Sequence, residues 1–145
     1  MAVFNVTQAI SSSLATVLLN AVDAAVNNGA AAGYIEFYTG TMPAKPETAP
    51  GGGNTKLGTC TCSVTSGSVA SGAYTFSAIT MDSDADADGT AAWARVRDGA
   101  GNACFDVDVS VTGGSGTVQM PTTSIKSGGP IAFNSFTIKF SPGTW

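Results

Sequence analysis

In the first thirty residues, apolar positions recur at the spacing of an α-helix. From Gln8 to Val26 these positions are Ile10, Leu14, Val17, Leu18, Ala21 and Ala25. An apolar residue at every third or fourth position lines one face of a helix, and the Asn-Asn-Gly run at 27–29 ends it. The pattern predicts one amphipathic helix within segment 1–30, with this stripe packed on its own domain. The outward residues are small and weakly polar, so a covering partner subunit stays an alternative: Ser12, Ser13, Thr16, Asn20 and Asp23.

Beyond residue 34 the apolar period becomes two, which is that of a β-strand. Clusters of Gly, Pro, Asn and Asp separate seven such runs, namely Tyr34–Thr39, Leu57–Thr65, Ala73–Thr80, Ala91–Arg97, Ala103–Val111, Thr117–Met120 and Ile131–Phe140. Short strands with turns between them are typical of an antiparallel sandwich. The sequence therefore predicts a mainly β protein with a single domain over 1–145. Residues 34–145 are expected to form one antiparallel β-sandwich, Ig-like or jelly-roll-like, of about seven strands.

One stretch between the first two strands fits neither a tight turn nor a strand. Residues 41–56 contain Pro43, Pro46 and Pro50, followed by three consecutive glycines. Proline lacks the backbone N–H that a sheet requires, and the stretch is too long for a hairpin turn. We expect an exposed, extended arm or loop that could lie across a neighbouring molecule.

Two of the runs, 91–97 and 103–111, are expected to form a β-hairpin. Alternation brings the apolar residues of both runs to one side, provided that the pairing has the right parity. The pairs that meet this condition are Arg97 with Asn102, Arg95 with Cys104, and Trp93 with Asp106. The opposite face then exposes two arginines, two aspartates, a tryptophan and a cysteine. We expect Trp93, Arg95, Arg97 and the distant Trp145 to contact other molecules.

Composition narrows the functions that such a fold can have. The chain has no histidine, and 11% of its residues are charged, whereas 43% are hydrophobic. Acid–base catalysis near neutral pH relies mostly on histidine, and a nucleophilic Ser or Cys needs an adjacent base. We therefore expect a protein that is not an enzyme and needs no cofactor. A net charge of −4 and a pI near 4.3 argue against nucleic acid as a partner.

The apolar start of the chain differs from a secretory signal. The first basic residue is Lys45, whereas a signal peptide needs a positively charged leader. Nor does any stretch approach the roughly 20 apolar residues of a membrane span. We expect a soluble protein that is synthesised in a cytoplasm and has no membrane partner.

The acidic run from Asp82 to Gly89 begins like a calcium-binding loop. Asp84, Asp86 and Asp88 match the D-x-D-x-D-G pattern. An EF-hand would need a bidentate Glu where Arg95 stands, and a helix after it, so an EF-hand is excluded. The three carboxylates are a weak candidate for a looser cation site, and a solvated acidic turn is the favoured interpretation.

The three cysteines are the remaining groups with chemistry to offer. Cys60 and Cys62 lie two apart on one predicted strand, so their side chains are parallel and a bond between them would be strained. The favoured interpretation is that Cys60 and Cys62 are small buried hydrophobic residues. Two alternatives stay open: a metal site, although a fourth ligand is missing, and a disulfide with another cysteine. Cys104, placed on the outer face beside Arg95, would be accessible and reactive. Our hypothesis is a disulfide from Cys104 to Cys60 or Cys62 of a neighbouring subunit.

Several segments together resemble a family of small virion proteins of tailed bacteriophages. The segments are Tyr34–Pro43, Lys56–Thr59, Ala91–Val96 with the Asp98-Gly99 turn, and Gly128–Ile138. With the preceding helix, the resemblance covers nearly the whole chain. Cys60 and Cys62 depart from it, since relatives are expected to carry aliphatic residues there.

This resemblance implies a β-rich structural subunit, most plausibly a capsid decoration or cement protein. Its partners would be the major capsid protein and copies of itself, often as a homotrimer. It would be made in the host bacterial cytoplasm and lie on the capsid surface of the virion. Two alternatives stay open: a neck, tail or baseplate component, and a carbohydrate-binding or adhesive sandwich that stacks sugars on Trp93, Tyr74 or Trp145.

Overall fold

The structure, a computed structural model, describes residues 11–133 and 136–139. In this part of the chain the protein is mainly β with one helix, α1, at Ser12–Val26. The strands are β1 (Tyr34–Tyr38), β2 (Lys56–Thr61), β3 (Gly67–Ala70), β4 (Ala73–Phe76), β5 (Gly89–Thr90), β6 (Trp93–Arg97), β7 (Ala103–Val111), β8 (Val118–Met120), β9 (Ser124–Ile125) and β10 (Thr137–Lys139). The described residues thus contain ten short strands, where about seven were predicted.

Helix α1 exists as predicted, but a different face of it is buried. Ser11 caps its first turn by accepting a hydrogen bond from the backbone N–H of Leu14, at 3.2 Å. The residues facing the core are Ala15, Leu19, Val22 and Val26. The predicted stripe lies beside them, and Leu14 and Val17 are exposed. Both stripes have the same helical spacing one position apart, so periodicity alone could not choose between them. The predicted start at Gln8 and the stripe residue Ile10 lie outside the described residues.

The largest sheet has five strands in the order β2-β1-β6-β7-β8. Strand β1 lies between β2 and β6. Its residues Ile35 and Phe37 alternate with Tyr34 and Glu36, so one face of the strand is buried in the core. Four of the five strands pair antiparallel, whereas β8 pairs parallel with β7. The predicted fully antiparallel arrangement is therefore wrong at this edge.

A smaller sheet, in the order β10-β4-β3, lies under α1, and β5 pairs with β9 in a third. The predicted strand 57–65 ends at Thr61, and a separate hairpin of β3 and β4 follows it. Its turn contains Ser71 and Gly72, with φ of 50° and 73°, a conformation that suits glycine. Strands β3, β5 and β9 were missed because they are too short to show a period.

One apolar cluster joins α1, the five-stranded sheet and the smaller sheet. Phe37 of β1 meets Phe133 edge to face, with ring centroids 5.3 Å apart. From the smaller sheet, Phe76 stacks on Phe136 at 4.2 Å and meets Tyr74 at 4.9 Å. Such aromatic pairs stabilise a core beyond their area alone.

The β6–β7 hairpin has the predicted sidedness but a different register. Trp93 is opposite Asp108 and Arg95 is opposite Asp106, two residues away from the predicted pairs. One position of the difference arises where the hairpin closes, because Arg97 pairs with Ala103 and not with Asn102; the second arises from a bulge, because the next pair is Val96 with Phe105. Cys104 is the extra residue at this bulge, so it does not lie beside Arg95.

Candidate functional site

The outer face of the five-stranded sheet is covered by the Pro-rich loop, which we call the strap (residues 41–55). Beneath it, the side chains of Trp93 and Arg95 are only 1% and 2% exposed. The strap folds back on its own sheet, although many of its residues face solvent. The predicted exposed loop is therefore confirmed, and its contact with a neighbouring molecule stays a prediction. The expected exposure of Trp93 and Arg95 is wrong.

Arg95 is held by a buried, two-pronged ion pair. Its Nε and Nη2 donate to the two carboxylate oxygens of Asp106, at 2.7 and 2.8 Å, while Nη1 donates to the backbone carbonyl of Thr48 in the strap at 3.0 Å. The hydrogen bonds to Asp106 raise the pKa of Arg95, so the guanidinium stays charged. Arg95 therefore ties the strap to β6 and β7, and its donors on these three atoms are engaged.

Trp93 fastens the two ends of the strap. Its indole Nε1 donates to the carbonyl of Thr39 and to Oδ1 of Asn54, both at 3.0 Å. Its ring stacks on Tyr38 with centroids 4.5 Å apart, and the Arg95 guanidinium lies 5.4 Å from the ring centroid. Every group here has a structural partner, so the face is built as a second, polar core.

Arg97 and the turn after it are likewise occupied. Arg97 forms an ion pair with Glu36 and donates to the carbonyl of Gly101. In the turn, the Asp98 carboxylate accepts from the backbone and the side chain of Asn102, from Asn28 and from Ala100. These bonds, led by those from the side chains of Asn102 and Asn28, lower the pKa of Asp98 to about 2. Arg97 borders a recess under the strap, but as a contact of other molecules it stays a prediction.

The acidic run is a braced loop whose carboxylates diverge. Asp86 forms an ion pair with Lys56, and Asp88 accepts from the backbone of Ser127 and from the ammonium of Lys126. Asp84 is exposed and is not joined to either. Within the described ranges no group of three or more His, Cys, Asp or Glu is placed to hold a metal ion. The weak candidate Asp84, Asp86 and Asp88 therefore does not form a site.

Cys60 and Cys62 are buried thiols, as the favoured interpretation predicted. They are 0% and 4% exposed, and burial raises their pKa to about 11 and about 12. Neither is bonded to another cysteine. Because both face the core, a neighbouring subunit could reach them only if β2 opened. The intersubunit disulfide stays a prediction, and non-reducing electrophoresis of the native assembly would test it.

Cys104 was expected beside Arg95, where a thiolate would be favoured. It instead faces α1, and its Sγ donates to the carbonyl of Ala25 at 3.6 Å. Partial burial raises the pKa of its thiol, and the expected neighbour Arg95 is paired with Asp106, so the expected activation by Arg95 is not found. The bulge is the cause, because it turns Cys104 out of the alternation of β7.

Beside Cys104, an apolar groove of about 450 Å³ opens between α1, β7 and β10. None of its described lining residues is charged, and its walls include Leu18, Ala21, Ala25, Phe105, Val107 and Ile138. Next to it, a second row of apolar residues follows α1, which we call the α1 seam: Leu14, Val17, Ala21 and Ala24. Leu14 is 41% and Val17 is 62% exposed, and both alanines are exposed. These two adjoining surfaces were missed because the predicted stripe was assigned to the core.

The aromatic residues considered for sugar stacking are not available for it. Trp93 and Tyr74 are buried, and the Tyr74 hydroxyl is hydrogen-bonded to Ser66 at 2.5 Å. Trp145 lies outside the described residues. No helix in the described part of the chain has the length and hydropathy needed to cross a membrane.

The comparisons with known proteins return no match. No protein-family model fits the chain, and neither a curated protein nor a solved structure is significantly similar to it.

Proposed function

We propose that this protein is a structural virion protein of a tailed bacteriophage, most plausibly a capsid decoration or cement protein. The observation that carries the proposal is the α1 seam, an apolar strip of the helix that the other described residues leave exposed. A soluble subunit that leaves such a strip exposed is expected to bury it by association. We propose that the seam contacts the major capsid protein or another copy of this chain.

The spacing of the seam supports helix packing as the mode of contact. Its four residues follow one another at intervals of three, four and three positions, which is the spacing with which one helix lies along another. The alanines at its C-terminal end would allow close approach. Homotrimer formation through this surface is part of the proposal.

The chemistry of the closed face also favours a structural role. The ion pairs of Arg95 and Arg97 connect strands and strap, and burial raises the pKa of each cysteine thiol. Among the described residues, every buried side-chain nitrogen and oxygen has a hydrogen-bond partner. A catalytic site usually sets a polar group aside from such pairing. We infer that these groups serve stability.

The resemblance noted in the sequence gives the biological setting. Its segments form the framework of the fold: strand β1, the start of β2, strand β6 and the turn at Asp98. We further propose that the five-stranded sheet and the smaller sheet together form one sandwich, Ig-like or jelly-roll-like. Their sharing of a single apolar cluster supports this arrangement.

Particle imaging tests the position in the virion. Antibody-coupled gold against this protein should coat the head of purified particles, with copies on the order of hundreds per particle, as lattice symmetry requires. Label at a single vertex or along the tail, with a few copies, would instead support the neck, tail or baseplate alternative. Absence from particles would overturn the virion role.

A matched pair of variants tests the surface. The double variant Leu14→Ser, Val17→Ser should fold, because both side chains are exposed, yet fail to bind particles that lack the protein. The control variant Ser13→Ala, Asn20→Ala changes the polar face of the same helix and should bind like the parent chain. Equal binding by both variants would show that the seam is not the contact.

A further inference from the structure

The groove between α1, β7 and β10 is an apolar surface left without a cover by the described residues. Its walls bring together the flank of α1, two large residues of β7 and Ile138 of β10, and they carry no charge. Phe105, Val107 and Ile138 are each only partly buried. An occupant should therefore be apolar, uncharged and small enough for about 450 Å³.

Strand β10 delivers the chain to this groove. Phe136 is buried in the core, and two residues later Ile138 lines the groove. Position 140 has the same parity in the sequence as Phe136 and Ile138, and side chains two apart in a strand point the same way. The register pairs Thr137 with Thr75 and Lys139 with Ala73, so β10 runs antiparallel to β4 up to the last described residue.

The direction of β10 shows at which end of α1 the chain leaves the smaller sheet. Strand β3 starts next to Ser66, whose backbone N–H donates to Asn27 at the C-terminus of α1, at 3.0 Å. Because β3 and β10 are both antiparallel to β4, they run the same way. The chain therefore leaves Lys139 on the side of the smaller sheet that is remote from Asn27. To cover Cys104, which contacts Ala25 near Asn27, the following segment has to turn back along α1.

Length and chemistry agree with this route. The residues that follow β10 in the sequence are Phe-Ser-Pro-Gly-Thr-Trp, 140–145, with two aromatic rings and no charged side chain. Six residues reach about 20 Å when extended. The helical edge of the groove, from Leu18 to Ala25, is about 10 Å long.

We propose that residues 140–145 of the same chain dock in this groove, with Phe140 packed beside Ile138. This segment closes the flank of α1 within one molecule. It leaves Leu14 and Val17, on the adjoining face of the helix, free for other contacts. The proposal does not depend on a virion role, because it concerns the isolated chain.

Cys104 is a built-in reporter, since it lines the groove while Cys60 and Cys62 are buried. Alkylation by a small maleimide, followed by mass spectrometry, measures how far the groove is covered. In the full chain Cys104 should react slowly, and truncation after Lys139 should speed the reaction about tenfold or more, as expected for losing a buried aromatic contact. Cys60 and Cys62 should stay unmodified, which shows that the core is intact.

Two further variants keep the test decisive if the truncated chain does not fold. Phe140→Ser should speed the reaction of Cys104, whereas the matched Ser141→Ala should leave it unchanged. Equal rates in the full chain, Phe140→Ser and any folded truncated chain would overturn the proposal. A rate in the full chain that falls as protein concentration rises would overturn it too, because a second copy would then be the cover.

A photo-crosslinking residue placed at position 140 identifies the neighbour directly. The proposal expects a crosslink to peptides of α1 or β7 within a single chain. A crosslink that appears only between two chains, or to the strap, contradicts it.

Discussion

The two faces of the five-stranded sheet are both covered, but by opposite chemistry. The inner face packs apolar residues such as Ile35 and Phe37 against α1 and the smaller sheet. The outer face buries an arginine, an aspartate and a tryptophan under the strap. An apolar core can leave part of its edge exposed to solvent, and the groove and the α1 seam are such exposed parts. A polar core cannot be left partly covered in this way, because each buried donor or acceptor without a partner lowers the stability of the fold.

This difference explains why the strap closes the outer face within one chain. The carbonyls of Thr39 and Thr48 and the amide of Asn54 each accept from a buried side chain of β6. If a neighbouring molecule supplied these acceptors in place of the strap, the donors of Trp93 and Arg95 would lack partners until the two molecules bound. The inner face has no such requirement, so its apolar margin is the surface suited to association.

The largest effect is expected from breaking the buried ion pair. Asp106→Ala leaves the Arg95 guanidinium buried without its counter-charge, and should lower the free energy of unfolding by about 3–5 kcal/mol. Urea denaturation measures it. The control Asp86→Ala removes an exposed pair with Lys56 and should cost less than about 1 kcal/mol.

Asp106→Ala removes both the counter-charge of Arg95 and part of the side-chain volume at the site. The double variant Arg95→Met, Asp106→Leu separates these effects, because it removes both charges and keeps a similar volume. It should recover most of the lost stability, since an apolar pair of similar size suits a buried site. A double variant as unstable as Asp106→Ala alone would show that the unpaired charge of Arg95 is not the cause of the lost stability.

The inner face is tested by comparing two leucines of α1. Leu19→Ala removes a fully buried side chain and should destabilise the protein by about 2–5 kcal/mol. Leu14→Ala, on the exposed seam, should cost less than about 1 kcal/mol. A larger loss of thermal stability in Leu14→Ala than in Leu19→Ala would show that the predicted stripe, and not the one in the structure, faces the core.

A smaller effect is expected where the strap is fastened. Asn54→Ala removes one of two acceptors of the Trp93 indole, so unfolding should become easier by about 0.5–1.5 kcal/mol. Limited proteolysis should show faster cleavage within 41–55. The control Asn20→Ala, on exposed helix, should change neither quantity. Unchanged cleavage in the Asn54 variant would mean that the strap is held by other contacts.

The smallest effect is a dependence on pH. Folding lowers the pKa of Asp98 from 3.8 to about 2, so its stabilising contribution is present above about pH 4 and is lost as the pH falls through 2. Unfolding midpoints between pH 2 and 6 should therefore depend less on pH in Asp98→Asn than in the parent chain. Parallel pH profiles of the two proteins would contradict this assignment.

Much of the fold was predictable wherever a pattern was long. Strand β7 has the predicted bounds, Ala103 to Val111, because five apolar residues alternate there without a break. The end of α1 at Val26 was also predicted, from the Asn-Asn-Gly run. The burial of Cys60 and Cys62 followed from their placement on a strand face.

The candidate site was predicted less well, because it depends on contacts between residues that are distant in the sequence and on an irregularity in strand pairing. The hairpin pairing differs from the prediction by two positions, one from the closing pair of Arg97 with Ala103 and one from the bulged residue Cys104. Arg95 was expected to be exposed because nothing local signals that a loop forty residues earlier supplies its cover. The open margin of α1 was hidden because its exposed stripe and its buried stripe have the same period.

Carbene footprinting of the isolated full chain over a range of concentrations tests the contrast between the two faces most directly. The account predicts strong labelling at Leu14 and Val17 in dilute protein, together with unlabelled Trp93 at every concentration. Heavy labelling of Trp93 in dilute protein, with protection only as the concentration rises, would contradict it. That result would mean that a neighbour, and not the strap, covers the outer face.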